Sequence, residues 1–259
     1  METIYSNLKI DFKLLQGIIL VQATVNDEQG YLAFDTGAMQ TALHKKYFSD
    51  IKGKELEIAK FSEGMKNDTA MEITIRSLSF SSVTLTDRNV MLMDLSYVED
   101  SLAAFDSSLR LLGTMGIDII RNFSVMLDYG ESKITLNPLC GFDKYTCVPL
   151  QMEALPVVEI EIGGEQYRFV LDTGANTCLL GSALQDRFPV QPVEDTPNVF
   201  KISSVSLQNR SYSDVLSAFT DISAIQSKVS VEGVIGYHIL SAQRSYFDFS
   251  NQKLYLEEV

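Results

Sequence analysis

Tyr31-Leu32-Ala33-Phe34-Asp35-Thr36-Gly37-Ala38 returns 137 residues later as Arg168-Phe169-Val170-Leu171-Asp172-Thr173-Gly174-Ala175. The same offset, without a gap, lays Leu20-Val21-Gln22-Ala23-Thr24-Val25-Asn26 over Val157-Val158-Glu159-Ile160-Glu161-Ile162-Gly163. In each copy an alternating apolar run meets a polar turn, Asn26-Asp27-Glu28 or Gly163-Gly164-Glu165. A second apolar run then ends at the Asp. This is the pattern of a β-hairpin whose second strand delivers an Asp-Thr-Gly loop.

Further along, Gly116-Ile117-Asp118-Ile119-Ile120 matches Gly236-Tyr237-His238-Ile239-Leu240 at an offset of 120. The match continues through Met126-Leu127-Asp128-Tyr129 over Tyr246-Phe247-Asp248-Phe249, and Lys133-Ile134-Thr135-Leu136 over Lys253-Leu254-Tyr255-Leu256. Between these blocks, Ser77-Leu78-Ser79-Phe80 matches Ser204-Val205-Ser206-Leu207. The spacing predicts a short helix after each Gly, then two strands around a turn. The chain is therefore a tandem duplication of a mainly β unit. Its expected organisation is a lobe over 1–138, a linker over 139–150 and a second lobe over 151–259.

Composition narrows the function. The chain has 259 residues, 34 Asp+Glu against 21 Lys+Arg, and a net charge of −13. That balance argues against a nucleic-acid partner, and no apolar run is long enough for a membrane span. The first residues lack the charged region of a signal peptide. The expected location is cytoplasmic, or exported if a signal was removed. Cys140 and Cys147 are close enough for a loop disulfide, and Cys178 lies in an apolar stretch suited to a buried thiol. The lack of a dense cysteine framework favours reduced thiols.

The chemistry rests on the paired acids. A single Asp-Thr-Gly arises by chance in about one chain in thirty of this length, but two at equivalent repeat positions are a different matter. Pseudo-twofold symmetry can bring Asp35 and Asp172 together at the lobe interface. Two carboxyls in one site cannot both ionise easily, so they share a proton. The shared proton makes one a general base for water and the other a general acid for a carbonyl oxygen. Gly37 and Gly174 permit close backbone approach, and Thr36 and Thr173 can place hydroxyls across the axis.

These residues carry a resemblance. Phe34-Asp35-Thr36-Gly37-Ala38 and Leu171-Asp172-Thr173-Gly174-Ala175 resemble the active-site loops of aspartic proteases, and Ala38 and Ala175 resemble the retroviral (retropepsin) type. Thr114-Met115-Gly116 and Val234-Ile235-Gly236 resemble the second signature of each lobe, although Thr114 departs from its apolar pair. The resemblance implies a bilobal fold of two retropepsin-like β-barrel lobes with a short helix after Gly116 and after Gly236. It implies an endopeptidase that acts through water held between Asp35 and Asp172, on an extended peptide, as a monomer and without cofactor or metal. A catalytically inactive peptide-binding or scaffold protein of the same fold is the alternative.

Other constellations are thin. His44 and His238 have no zinc-ligand spacing, no Gly-x-Ser-x-Gly elbow is present, and Cys178 has no plausible His partner. Asp128 and Asp248 read as turn acids. One asymmetry stands out: Gly37 to Ser77 spans 40 residues, but Gly174 to Ser204 only 30. By the resemblance, this interval carries the flap. Its tip is expected around Gly64 and Met65 of the first lobe, and the second lobe, with Pro197 and little room for two strands, is expected to lack one.

Overall fold

The two hairpins form as the alternation requires. In the computed structural model, which describes residues 6–56, 70–139, 141–194 and 196–257, the first half carries ten strands. They are β1 (Leu8–Leu15), β2 (Ile18–Val25), β3 (Glu28–Phe34), β4 (Ala42–His44) and β5 (Lys54–Leu56), then β6 (Ala70–Phe80), β7 (Val83–Met93), β8 (Leu111–Met115), β9 (Val125–Asp128) and β10 (Lys133–Leu136). Three helices lie among them: α1 (Lys45–Phe48), α2 (Ser96–Ala103) and α3 (Ile117–Ile120).

The second half repeats the order. It begins with β11 (Tyr145–Pro149), β12 (Gln151–Met152), β13 (Pro156–Ile162), β14 (Glu165–Leu171), β15 (Cys178–Gly181) and β16 (Val190–Pro192). It continues with β17 (Val199–Leu207), β18 (Arg210–Thr220), α4 (Ser223–Gln226), β19 (Gly233–Ile235), α5 (Tyr237–Leu240), β20 (Ser245–Asp248) and β21 (Lys253–Glu257). The expected short helices are α3 and α5, one after each Gly.

Each half closes on itself. In the first, the order β2-β3-β8-β4-β7-β6 returns to β2 through Ala23↔Phe80, Thr24↔Ser79 and Val25↔Leu78. In the second, β13-β14-β19-β15-β18-β17 returns to β13 through Glu161↔Ser206 and Ile162↔Val205. Closure removes the free sheet edges that an open layer would expose. One contiguous core runs through both barrels, from Ile10 and Leu32 to Phe169, Phe247 and Leu256. Each such side chain withdrawn from water contributes about 1.5–3 kcal/mol before the entropy of ordering is charged against it.

A third sheet, β11-β21-β20-β9-β10-β1, joins the halves. Its central pair is β9 with β20, in antiparallel register Leu127↔Ser245, Met126↔Tyr246, Val125↔Phe247. Met126 and Tyr246 are repeat equivalents, so the local twofold axis passes between them. Arg244 reinforces the junction: its Nε donates to Asp128 Oδ2 at 2.8 Å and its terminal nitrogen to Glu257 Oε1 at 3.0 Å. Asp128 Oδ1 also accepts from Glu131 N at 2.9 Å, and Asp248 Oδ1 from Asn251 N at 3.1 Å, so both are turn acids.

Two expectations need revision. Residues 139–150, read as a linker, contain β11, which pairs with β21 over Tyr145↔Glu257 to Pro149↔Lys253 and so supplies an outer strand of the joining sheet. The second half also has a hairpin where none was expected. Val190–Pro192 pairs with β17 through Val190↔Ile202, Gln191↔Lys201 and Pro192↔Phe200. Pro192 is tolerated because β16 is an edge strand, where a missing N–H interrupts no second ladder. The counterpart in the first half is β5 with β6, Lys54↔Glu72 to Leu56↔Ala70. Six residues, 193–198, separate β16 from β17, and thirteen, 57–69, separate β5 from β6, which accounts for seven of the ten residues by which the intervals differ. Gly64 and Met65, expected at the first tip, lie outside the described residues, as does Cys140. Cys147 is exposed and Cys178 buried, both as thiols.

Candidate active site

Parallel pairing decides where the acids emerge. β3 runs beside β8 (Leu32↔Gly113, Ala33↔Thr114, Phe34↔Met115), and β14 runs beside β19 (Phe169↔Gly233, Val170↔Val234, Leu171↔Ile235). Each Asp-Thr-Gly loop thus leaves its barrel next to the apolar-apolar-Gly loop of the same half. Asp35 N donates to Met115 O and Asp172 N to Ile235 O, both at 3.0 Å. Beyond the loops, Ile117 N donates to Ala38 O and Tyr237 N to Ala175 O, both at 2.8 Å. Gly116 and Gly236 press against the loop backbones: a Cβ on Gly116 would lie 2.8 Å from Ala38 O, and one on Gly236 2.6 Å from Ala175 O.

Two threonines lock the loops across the axis. Thr36 Oγ1 donates to Leu171 O at 2.7 Å and accepts from Thr173 N at 3.1 Å. Thr173 Oγ1 donates to Phe34 O at 2.6 Å and accepts from Thr36 N at 3.0 Å. Both residues are 1% exposed, so every member of this network depends on the others for its partner. Thr36→Val or Thr173→Val strands a buried N–H and a buried C=O. We expect either to lower unfolding free energy by about 2–5 kcal/mol. Urea denaturation checks this, with the corresponding Ser variant, which keeps the hydroxyl, close to the parent.

The acids face one another. Asp35 Oδ1 accepts from Gly37 N at 2.8 Å and Ala38 N at 2.9 Å, and Asp172 Oδ1 accepts from Gly174 N at 2.7 Å. The two carboxyls are hydrogen-bonded to each other. Burial pushes Asp35 well above the usual carboxylate range, the Asp172 charge and the hydrogen bond to Asp172 push it further, and the two N–H groups offset part of this. Asp172 is raised too, by burial, while the bond from Asp35 and the neighbouring N–H groups hold it back. Burial and mutual repulsion thus favour one proton shared between the two carboxyls.

Behind the first loop lies a pair that residue patterns did not single out. Thr41 N and Thr41 Oγ1 both donate to Asp118 Oδ1 at 2.9 Å, and Gly116 N donates to Thr41 Oγ1 at 3.1 Å. The repeat offsets turn Thr41 into Cys178 and Asp118 into His238. The Gly236 N–H meets the Cys178 sulfur in the same way, but burial dominates and pushes the thiol up to about 11. That thiol stays protonated and is a support, not a nucleophile. His238 Nδ1 accepts from Leu216 N at 3.4 Å. His44 is buried far along the first barrel, where its Nδ1 accepts from Leu95 N at 3.1 Å and desolvation lowers its pKa. Among the described residues no group of three or more His, Cys, Asp or Glu is arranged to hold a metal ion. Among them, too, no helix is long and apolar enough to cross a membrane.

Residues 152–240 match the family model described as retroviral aspartyl protease. The sequence matches no curated protein. Among solved structures, the aspartic proteinase from Irpex lacteus is similar with a TM-score of 0.64, covering 98% of each chain at 11% identity. At that identity the likeness is one of fold, and it extends over both lobes. The second lobe thus carries the sequence pattern of the retroviral aspartyl protease model, and the whole length has the bilobal fold of an aspartic proteinase.

Proposed function

We propose that the chain is an aspartic endopeptidase in which Asp35 and Asp172 are the catalytic pair. The observation that carries this reading is the close pair of buried carboxyls at the lobe junction, held there by the reciprocal Thr36–Thr173 network. Asp172 takes a proton from a water held between the carboxyls. The hydroxide so formed attacks the scissile carbonyl, and Asp35 gives its proton to the developing oxyanion. On collapse of the tetrahedral intermediate the C–N bond breaks, the amine takes from Asp172 the proton gained from water, and a hydroxyl of the intermediate returns a proton to Asp35 as the product carbonyl forms, so both carboxyls regain their starting state. No acyl-enzyme forms. Thr36, Gly37, Ala38, Thr173, Gly174 and Ala175 hold the pair, and Gly116 and Gly236 back the two loops.

An extended peptide suits a site placed between two sheet-built lobes, since its backbone can bond in strand fashion. Each chain supplies both acids, so the active species is the monomer. The pairing of β11 with β21 supports a first lobe over 1–138 and a second that includes β11 as well as 151–259.

The test is cleavage of a mixed peptide library from about pH 3 to about pH 8, with Asp35→Asn as the blank. Ala38 and Ala175 bring no hydroxyl to the carboxyls, and burial raises both acids. We therefore expect a mildly acidic optimum: below it the base protonates, and above it the shared proton is lost. A rate that keeps climbing to the acid end contradicts the assignment. Peptide retention without cleavage at any pH selects the scaffold alternative.

A further inference from the structure

The repeat makes the lobes near-equal, yet the two active-site loops are not gripped alike. In the first, Gly37 N and Ala38 N both donate to Asp35 Oδ1, at 2.8 and 2.9 Å. In the second, Gly174 N donates to Asp172 Oδ1 at 2.7 Å. Ala175 N is divided between that carboxyl and the Asp172 backbone O, which lies 3.4 Å away. Both loops read Asp-Thr-Gly-Ala, so the reason lies in what stands behind them.

Two supports are common to both. Ala38 O takes Ile117 N, and Ala175 O takes Tyr237 N. Gly116 N donates to Thr41 Oγ1, and Gly236 N meets the Cys178 sulfur. Among the described residues only the first loop has a third. Thr41, at 0% exposure, gives both its N–H and its hydroxyl to Asp118 Oδ1, each at 2.9 Å. Its carbonyl takes Met91 N of β7 at 2.9 Å. Every polar group of Thr41 is thus engaged, and each bond constrains the next. Residues 38–41 and 116–118 are tied at both ends, with Gly116 pressed between them: a Cβ there would lie 2.6 Å from the Gln40 carbonyl carbon. At the twofold-related place His238 turns to β18 instead, where its Nδ1 accepts from Leu216 N at 3.4 Å.

We infer that Asp118, acting through Thr41, is a positioning residue for Asp35. It fixes the limb that carries the Ala38 N–H and so keeps that donor on the Asp35 carboxyl. The loop with the Asp118–Thr41 tie has two full donors on its acid, and the loop without it has one full and one divided. The first loop is then the fixed half of the pair, and the second is the half that yields. This inference rests on the proposed peptidase reading for its catalytic meaning, but the grip on the carboxyl can be measured without turnover.

The experiment is amide hydrogen exchange by NMR, alongside peptide kinetics, in the parent protein, Asp118→Ala and Asp118→Asn. In Asp118→Ala the Ala38 amide should exchange about tenfold faster or more while the Gly174 amide keeps the parent rate. The kcat should fall about tenfold with KM within about twofold, since the group displaced acts in the chemical step. Asp118→Asn should restore both readouts, because its amide oxygen can accept from Thr41 N and Oγ1. Parent-like exchange at Ala38, equal acceleration in both loops, or an unchanged kcat in Asp118→Ala overturns the inference. If the parent cleaves no peptide, the peptidase reading fails and amide exchange still decides the role of Asp118. Should Asp118→Ala not fold, the tie is transplanted by combining Cys178→Thr with His238→Asp. The Ala175 amide must then exchange more slowly than in the parent, and an unmoved rate overturns the inference.

Discussion

Asp35→Asn and Asp172→Asn should each reduce peptide hydrolysis by about 1,000-fold or more while leaving the fold intact. The mechanism needs one carboxyl to take a proton and the other to give one, and an amide can do neither in turn. Shape is preserved: in Asp35→Asn the amide oxygen can still accept from Gly37 N and Ala38 N, as Asp35 Oδ1 does. The new NH2 can donate to Asp172, as the protonated acid does. Stability should move the other way from activity. Both acids titrate above their ordinary range when folded, so the folded protein holds its protons to higher pH than the unfolded chain. Stability therefore falls as pH rises through that interval and remains lost above it. Asn needs no proton and avoids this loss. Each variant should melt higher than the parent at neutral pH, by about 2–4 °C for every kcal/mol recovered, and the gain should vanish in acid. Calorimetry at two pH values checks it. An inactive variant that melts lower at neutral pH would mean that the acids are not the burdened pair described here.

How much of this was legible in the residues depends on which part of the repeat is considered. The Asp-Thr-Gly hairpins were, because apolar alternation and a fixed offset of 137 both constrain them. The helices after Gly116 and Gly236, and the β9–β10 and β20–β21 hairpins, were legible for the same reason. β11 was hidden although the 137 offset carries Leu8–Leu15 onto Tyr145–Met152. Pro149 interrupts the alternation there, and the long strand of the first half is split into β11 and β12. β16 was hidden because it is three residues long, and so short a strand has no period to detect. The support behind the loops was illegible for a different reason. Thr41 and Asp118 are 77 residues apart and meet only because β4 pairs with β8, and in the second half the same places hold Cys178 and His238. Residues whose meaning comes from tertiary juxtaposition leave no local pattern.

The tightest juxtaposition of all gives the second large effect, at Gly37 and Gly174. A Cβ added to Gly37 would lie 2.2 Å from Asp172 Cγ, and one added to Gly174 would lie 2.4 Å from Asp35 Cγ. Each glycine of one lobe is therefore the surface against which the other lobe's acid rests. Neither neighbour can move freely. The Asp172 carboxyl is pinned by Gly174 N at 2.7 Å, and the loop that carries it is tied by Thr36 and Thr173 at both ends of the axis. Gly37→Ala must rotate the acid off its donor or part the lobes and break the threonine network. Either response displaces the reacting groups by an ångström or so, a misplacement that costs about 100-fold in rate. Overpacking adds about 1–3 kcal/mol of lost stability. Gly174→Ala should behave alike, whereas Gly141→Ala, whose Cβ would meet nothing nearer than Asp143 Oδ2 at 3.8 Å, should match the parent in both respects. The measurements are kcat/KM on one peptide and the urea midpoint of the three variants. Parent-like turnover in Gly37→Ala would mean that the loops are not held at this separation, and the shared proton, which requires the two carboxyls to touch, would lose its structural basis.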